Sequence, residues 1–565
     1  MGSPIRELSD RYIDRLMALD PEMATQRGVL GHDAELTDHS PDGVTSRTDL
    51  DRSTLRELRT LRVEGDRDGV TAGVLGEWLG SRLALDDSGE TQRTLCVLGS
   101  PWQSIRQVFD LMPRITEGDW ETIATRLERL PGSLLGLRAS LDVSTQRGLP
   151  PARRQVLACA EQGFIWAGRR GRPSFFAELV AKYPGADGAL RRRLDGAAEL
   201  AGQAYATASD WLRDQLAVVA AERDPVGPDR YAVSARQHLG ASLDLPETYA
   251  WGWEELRRIE RAMAEEATRI VPGASLAEVV DLLESDPARA VHGEDALREF
   301  LQELMDRTIA ALDGLHFDIP APVRRVEAMI APPGGAAAPY YTGPSEDFSQ
   351  PGHTWYPTQG RTDFALWGEI STCYHEGVPG HHLQIGQVRY LKDELTRFQR
   401  TVWMSGHGEG WALYAERLMD ELGYLATPEH RLGFLRGQLL RAVRVVVDIG
   451  MHLELPIPAG EAFHGGEAWT PELGEEFLYS RACYPRSFLA SELDRYLGRP
   501  GQAISYKVGE RAWLAARDDA RRLLGPGFTV KAFHSAALDL GPVGLDQLAG
   551  ECAAWARRSA GDGPG

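Results

Sequence analysis

The segment STCYHEGVPGHHLQ (371–384) carries His375, Glu376, His381 and His382 within eight residues. Imidazole and carboxylate groups ligate zinc, and His-Glu opens the H-E-x-x-H helix. In that helix two histidines one turn apart bind the metal and the glutamate acts as general base. Here Pro379 stands four positions after His375, so the second histidine must come from further on. In an unbroken helix His375 and His382 share a face but lie ~10 Å apart along the axis. Two nitrogens on one zinc each sit ~2 Å from it, so a straight helix cannot serve. Proline also removes a backbone donor and clashes with the preceding turn. A bulge over Gly377–Gly380 would shorten the gap. Helical phase favours His382 and a two-residue insertion favours His381; the spacing leaves both open.

Glu376 directly follows His375, where a carboxylate can take a proton from water activated by a metal. A hydrolytic zinc site needs a third protein ligand and an open position. The segment SGHGEGWALYAERLMDELG (405–423) offers Glu409, 27 or 28 residues beyond the two candidate histidines. Gly408 and Gly410 flank it and permit close backbone approach to metal or substrate. Glu416 follows two turns later on almost the same face. It is a candidate to orient a histidine from behind, or else a surface or capping glutamate. Cys373 precedes the ligands and reads as a buried thiol, with no base specifically placed for it.

The elements that must position these residues are mostly helical. In 246–271 an apolar stripe of Tyr249, Trp253, Leu256, Ile259, Met263 and Ile270 predicts one long amphipathic helix. Similar patterns cover 5–20, 74–86, 187–220, 294–313, 387–424 and 508–525. Asp363 is placed to cap a helix leading into His375. Residues 319–360 differ: β-like pieces at Val323–Ile330, Pro339–Thr342 and Thr354–Tyr356 alternate with Pro/Gly turns. They predict a small antiparallel sheet before the motif helix, where an extended substrate could add as a strand. The composition change sets a boundary near 318, with helical 1–318 and catalytic 319–565; a second break falls at 222–240. The tail SAGDGPG (559–565) reads as disordered.

Bulk properties narrow the function. The 565 residues carry 62 Lys+Arg against 82 Asp+Glu, a net charge of −20, which argues against nucleic acid or anionic membrane as partner. No signal-peptide core or membrane-length apolar run is present. Five scattered cysteines, Cys96, Cys159, Cys373, Cys483 and Cys552, form no disulfide framework. The expectation is a reduced, cytoplasmic protein; the sequence gives no oligomeric state.

Several motifs together resemble the bacterial family called domain of unknown function 885. They are YHEGVPGHHLQ, GEGWALYAERL, RYLGRPGQAISYKVGERAWLAAR and FHSAALDLGPVGLDQL, with DPEMATQRGVLGHDAELTDHSPDG and YYTGPSEDFSQPG further upstream. The resemblance implies a mainly α, two-lobed, gluzincin-like metallopeptidase fold with a deep central channel. It is distantly similar to the angiotensin-converting-enzyme and thimet-oligopeptidase groups, from which this chain departs by the inserted Pro-Gly. By the same resemblance, Tyr506 and His534 are candidates to hold an oxyanion, and Arg495, Gln502 and Lys507 to bind a substrate carboxylate. Gln502 and Tyr506, four apart, would share a helix face.

The expected function is zinc-dependent cleavage of peptide or amide bonds in short peptides, carboxypeptidase- or dipeptidase-like, with one zinc per chain. One alternative is removal of an acyl or amino-acid group from a small metabolite or peptide natural product. Another is a catalytically silent protein that binds through the channel.

Overall fold

Apolar stripes at helical spacing run through most of the chain, and the computed structural model turns nearly all of them into helices. It describes residues 3–185, 188–331 and 338–561. The chain divides into two units: 1–62, 78–233 and 492–499 form the first, and 63–77, 234–491 and 500–565 the second. The boundary expected near 318 therefore falls inside the second unit. The division comes instead at 233, within the Pro/Gly-bearing stretch 222–240, and the chain crosses between units more than once.

The first unit is helical. Its core gathers Trp102, Phe109, Trp120, Phe176 and Tyr205 between helices Pro101–Leu111, Glu117–Gln146, Phe175–Ala181 and Ala189–Trp211. Tyr205 donates to the Trp102 carbonyl at 2.9 Å, so the phenol is not buried unpaired.

The second unit holds the histidine motif. Helix α1 (Leu245–Ile270) is the long amphipathic helix expected there. Asp244 caps it by accepting from the Glu247 amide, and Pro246 sits in the first turn. Its apolar stripe packs along a later helix, Pro428–Leu453. Strand β1 (Ala290–His292) and helix α2 (Glu294–Leu312) follow, then β2 (Val326–Ile330), β3 (Tyr340–Thr342), β4 (Gly352–Tyr356) and β5 (Asp363–Ala365).

The sheet before the motif helix exists but is mixed. β3 and β4 pair antiparallel, whereas β2 runs parallel to β4, with Val326 opposite Gly352 and Ile330 opposite Tyr356. A second, two-stranded antiparallel ladder joins β1 to β5. Asp363, expected to cap a helix, lies in that ladder and bonds His292 Nδ1 at 2.8 Å. Helix α3 starts only at Glu369 and ends at Glu376; α4 (His381–Tyr390) resumes after the Pro-Gly turn.

The single helix expected over 387–424 is broken. Thr396 and Gln399 form a capping box that starts a short helix, Arg397–Thr401, before α5 (Ser405–Glu421) begins. Then come α6 (Pro428–Leu453), α7 (Ser505–Leu524), α8 (Val530–Leu538) and α9 (Leu545–Gly561). The tail expected to be disordered is helical as far as Gly561; 562–565 lie outside the described residues. The five cysteines are free thiols. Among the described residues no helix is long and apolar enough to cross a membrane.

Candidate metal centre

The Pro-Gly turn resolves the histidine spacing. α3 closes at Gly377, whose amide donates to the Cys373 carbonyl at 2.8 Å. The Val378–Pro379 peptide is cis. The Gly380 amide then reaches back to the Tyr374 carbonyl at 3.0 Å. A Cβ at Gly380 would collide with the carbonyl oxygens of Tyr374 and His375, so only glycine lets the chain double back this tightly.

The turn brings His381 beside His375, with ring centroids 4.8 Å apart and planes near perpendicular. Glu409, from the first turns of α5, faces both. Its Oε2 lies 3.6 Å from His375 Nε2 and 3.4 Å from His381 Nε2. Among the described residues, His375, His381 and Glu409 form a group whose ligand atoms all lie within 4.8 Å of one another. Tetrahedral ligand atoms ~2.1 Å from a zinc sit about 3.4 Å apart, so donor types and spacing fit a small divalent ion.

His382, the alternative ligand, points elsewhere. Its Nδ1 meets the Tyr341 hydroxyl at 2.9 Å and its Nε2 meets the Val323 carbonyl at 2.7 Å. Both nitrogens are committed to β3 and the segment before β2. Helical phase favoured it only for an unbroken helix, and the helix is not continuous.

Around the three donors the polar partners are ordered. Glu416 Oε1 lies 2.7 Å from His375 Nδ1, and Ser371 donates to its Oε2 at 2.5 Å. Glu416 is thus a buried carboxylate behind the histidine, and its bond leaves His375 Nε2 to face Glu409. Burial alone would lower the His375 value, but bonds to Glu409 and Glu416 outweigh it and raise it to about 9. Burial alone would raise Glu409; its bonds to both imidazoles hold it far below the usual carboxylate range.

Glu376 is buried, and burial raises its carboxyl although His375 and His381 pull the other way. Tyr506 from α7 stacks near His375 at 6.4 Å with 20° between planes, so the structure does bring this candidate to the cluster. The other expected partners are placed differently. His534 is fully buried, stacked on Phe317 at 4.5 Å, with Nε2 on the Tyr414 hydroxyl at 2.8 Å and Nδ1 toward the His316 carbonyl. It is a packed core histidine. Lys507 is buried and held by Glu510 at 2.5 Å, Glu255 at 2.9 Å and Gln438, so its charge is already spent. Arg495 belongs to the first unit, where Glu492 takes its guanidinium through two bonds of 3.0 and 2.7 Å. Gln502 is buried in the turn ahead of α7, which starts at Ser505, so it does not share a helix face with Tyr506. Cys373 is buried, and burial pushes its thiol up to about 12. Gly408 and Gly410 admit protein: the Trp403 ring covers Gly408, and Gly410 meets Gly509 of α7 backbone to backbone.

Sequence reasoning missed Trp403, whose ring lies 5.7 Å from His381, and two arginines of α6. Arg441 and Arg444 extend over the Tyr506 ring, their Cζ atoms 5.8 and 4.6 Å from its centroid. Their only signal was a basic spacing within an otherwise apolar helix, LLRAVRVVV.

The family model for bacterial proteins of unknown function DUF885 matches residues 21–551. The chain belongs to that family. Solved structures share its fold. A "putative lipoprotein" from Colwellia psychrerythraea is 22% identical with a TM-score of 0.81, covering 98% of this chain and 99% of its own. A "putative lipoprotein of unknown function" from Shewanella oneidensis is 17% identical with a TM-score of 0.74, covering 97% and 99%. No curated protein matches the chain.

Proposed function

We propose that this DUF885 protein is a metal-dependent hydrolase of peptide or amide bonds in short peptides, with zinc as the cation that best suits its donors. The observation that carries the reading is the convergence of His375, His381 and Glu409 with Glu376 adjacent in sequence and Glu416 behind His375. A divalent cation bound there would supply Lewis acidity, polarising a carbonyl and acidifying water.

The chain's own residues supply the rest. Glu376, whose carboxylate accepts no hydrogen bond from the described residues, would take a proton from the attacking water and pass it to the leaving amine. Its raised carboxyl suits both halves of that exchange. Glu416 fixes the tautomer and orientation of His375. The Tyr506 hydroxyl is the candidate donor to oxygen that gains charge as the carbonyl is attacked. The cytoplasm is the compartment we propose, from the free thiols and the acidic charge.

Elemental analysis of the purified protein tests the site, and hydrolysis of a peptide panel tests the chemistry. About one zinc per chain, lost in His375→Ala and Glu409→Ala, with turnover abolished by Glu376→Gln at unchanged zinc content, is the expected result. No zinc bound or taken up would overturn it.

A further inference from the structure

Arg441 stands out among the charged groups near the centre. It lies on α6, partly buried, with its Nε enclosed and without a hydrogen-bond partner. Nη1 donates to the Gly437 carbonyl at 3.1 Å, a bond within its own helix. No carboxylate of the described residues pairs with it. Other arginines of this unit behave differently: Arg417 is held by Glu510 at 2.5 Å, and Arg431 by Glu266 and Asp420 at 2.6 and 2.9 Å. A part-buried guanidinium with no direct ion pair keeps its N–H donors available for a carboxylate from outside the chain.

Arg441 is also close to the chemistry. Its guanidinium lies over the Tyr506 ring, which stacks near His375. Gly437 leaves room for it to fold back: a Cβ there would stand 3.0 Å from Arg441 Nη1 and 3.7 Å from Glu416 Oε2. Its charge acts on both Glu376 and Glu416, although it forms an ion pair with neither.

We propose that Arg441 is a substrate-anchoring residue that binds a carboxylate of the substrate beside the scissile bond. The planar guanidinium offers paired N–H donors whose spacing matches the two carboxylate oxygens. A carboxylate within reach of both Arg441 and the His375–His381–Glu409 cluster is that of the residue on the leaving side of the bond. The substrate class is therefore a short peptide cleaved next to its free C-terminus. This rests on the hydrolase reading for its scissile bond, though not for carboxylate binding itself.

The test is isothermal titration calorimetry of the zinc-loaded Glu376→Gln protein, which holds peptide without turning it over. The probes are tripeptides of alanine, leucine, phenylalanine and glutamate at the third position, each as free acid and as C-terminal amide. At least one free acid should bind about tenfold or more tighter than its amide. Adding Arg441→Ala should abolish that preference, and Arg441→Lys should restore part of it. A merely structural role for Arg441 would weaken acid and amide alike. A preference for glutamate that survives amidation would assign the contact to a side-chain carboxylate and overturn the C-terminal assignment. Acid preference unchanged in Arg441→Ala, or no binding by any probe, would overturn the proposal. Zinc content and thermal midpoint of Arg441→Ala, measured alongside, confirm that the variant is folded. Hydrolysis by the wild type without an Arg441-dependent preference would leave the hydrolase standing and remove the anchor. The reverse result would leave a carboxylate-binding site without hydrolysis.

Discussion

His375 Nδ1 and Glu416 Oε1 lie 2.7 Å apart in a fully enclosed bond, and Ser371 holds the other oxygen of the same carboxylate. The bond turns Nε2 of the same ring toward Glu409. Glu416→Gln keeps the shape but weakens the acceptor. It should lower zinc affinity by about 10- to 100-fold while leaving the stoichiometry at saturating metal unchanged. Competition with a chelator of known affinity measures this. An unaltered affinity would mean that Glu416 does not tune the histidine.

His381 and His382 are adjacent, yet opposite outcomes are expected for them. His381→Ala should lose bound zinc. His382→Ala should keep it and lose stability instead, by about 2–4 kcal/mol. That substitution leaves a cavity and strips partners from the Tyr341 hydroxyl and the Val323 carbonyl. Metal analysis and urea unfolding of the two variants separate the outcomes. Zinc loss in His382→Ala with His381→Ala unaffected would reverse the assignment.

α5 and α7 cross where Gly410 meets Gly509. A Cβ at Gly509 would collide with the Gly406 carbonyl and press on the Gly410 backbone. Gly509→Ala should therefore force apart the helices that carry Glu409 and Tyr506. The expected cost is about 1–3 kcal/mol or more, with weaker zinc binding. Differential scanning calorimetry with a zinc titration reads both. A neutral substitution would show that the crossing has slack.

His534 should make stability depend on pH. Burial lowers its value to about 3, against an unfolded value of 6.5. Between those limits the unfolded chain binds a proton that the folded chain refuses. The stabilisation is complete above about pH 6.5 and is lost as pH falls toward 3. His534→Gln removes this term, so its unfolding free energy should fall less steeply than that of the wild type from pH 6.5 to 4.5. Equal slopes in urea titrations would show that His534 takes up its proton as readily in the folded chain as in the unfolded one.

The residues of the histidine–glutamate cluster were readable in order along the chain. His375, Glu376 and Glu409 follow from ligand type and spacing, and the helical stripes of 246–271 and 294–313 follow from periodicity. Asp363 was misread because a good capping residue is equally at home in a short strand when a partner strand is near, and here β1 provides one. Lys507 and His534 were misread for a related reason. A residue type suited to binding or catalysis is also suited to an ion pair or a buried ring, and sequence does not say what surrounds it.

The sequence by itself determined the candidate donors, with His381 and His382 both open, the helical class and the break at Pro379, because these depend on side-chain chemistry and local backbone rules. Only the tertiary structure decided that His381 rather than His382 faces Glu409, since the direction of the chain after Gly380 is set by its return onto the Tyr374 and His375 carbonyls. It also decided which cations near the cluster form ion pairs. Lys507 is closed off by glutamates on α1 and α7, while Arg441, one helix away, forms no ion pair among the described residues. Pairing of buried charges depends on residues far apart in the chain, and only packing brings them together.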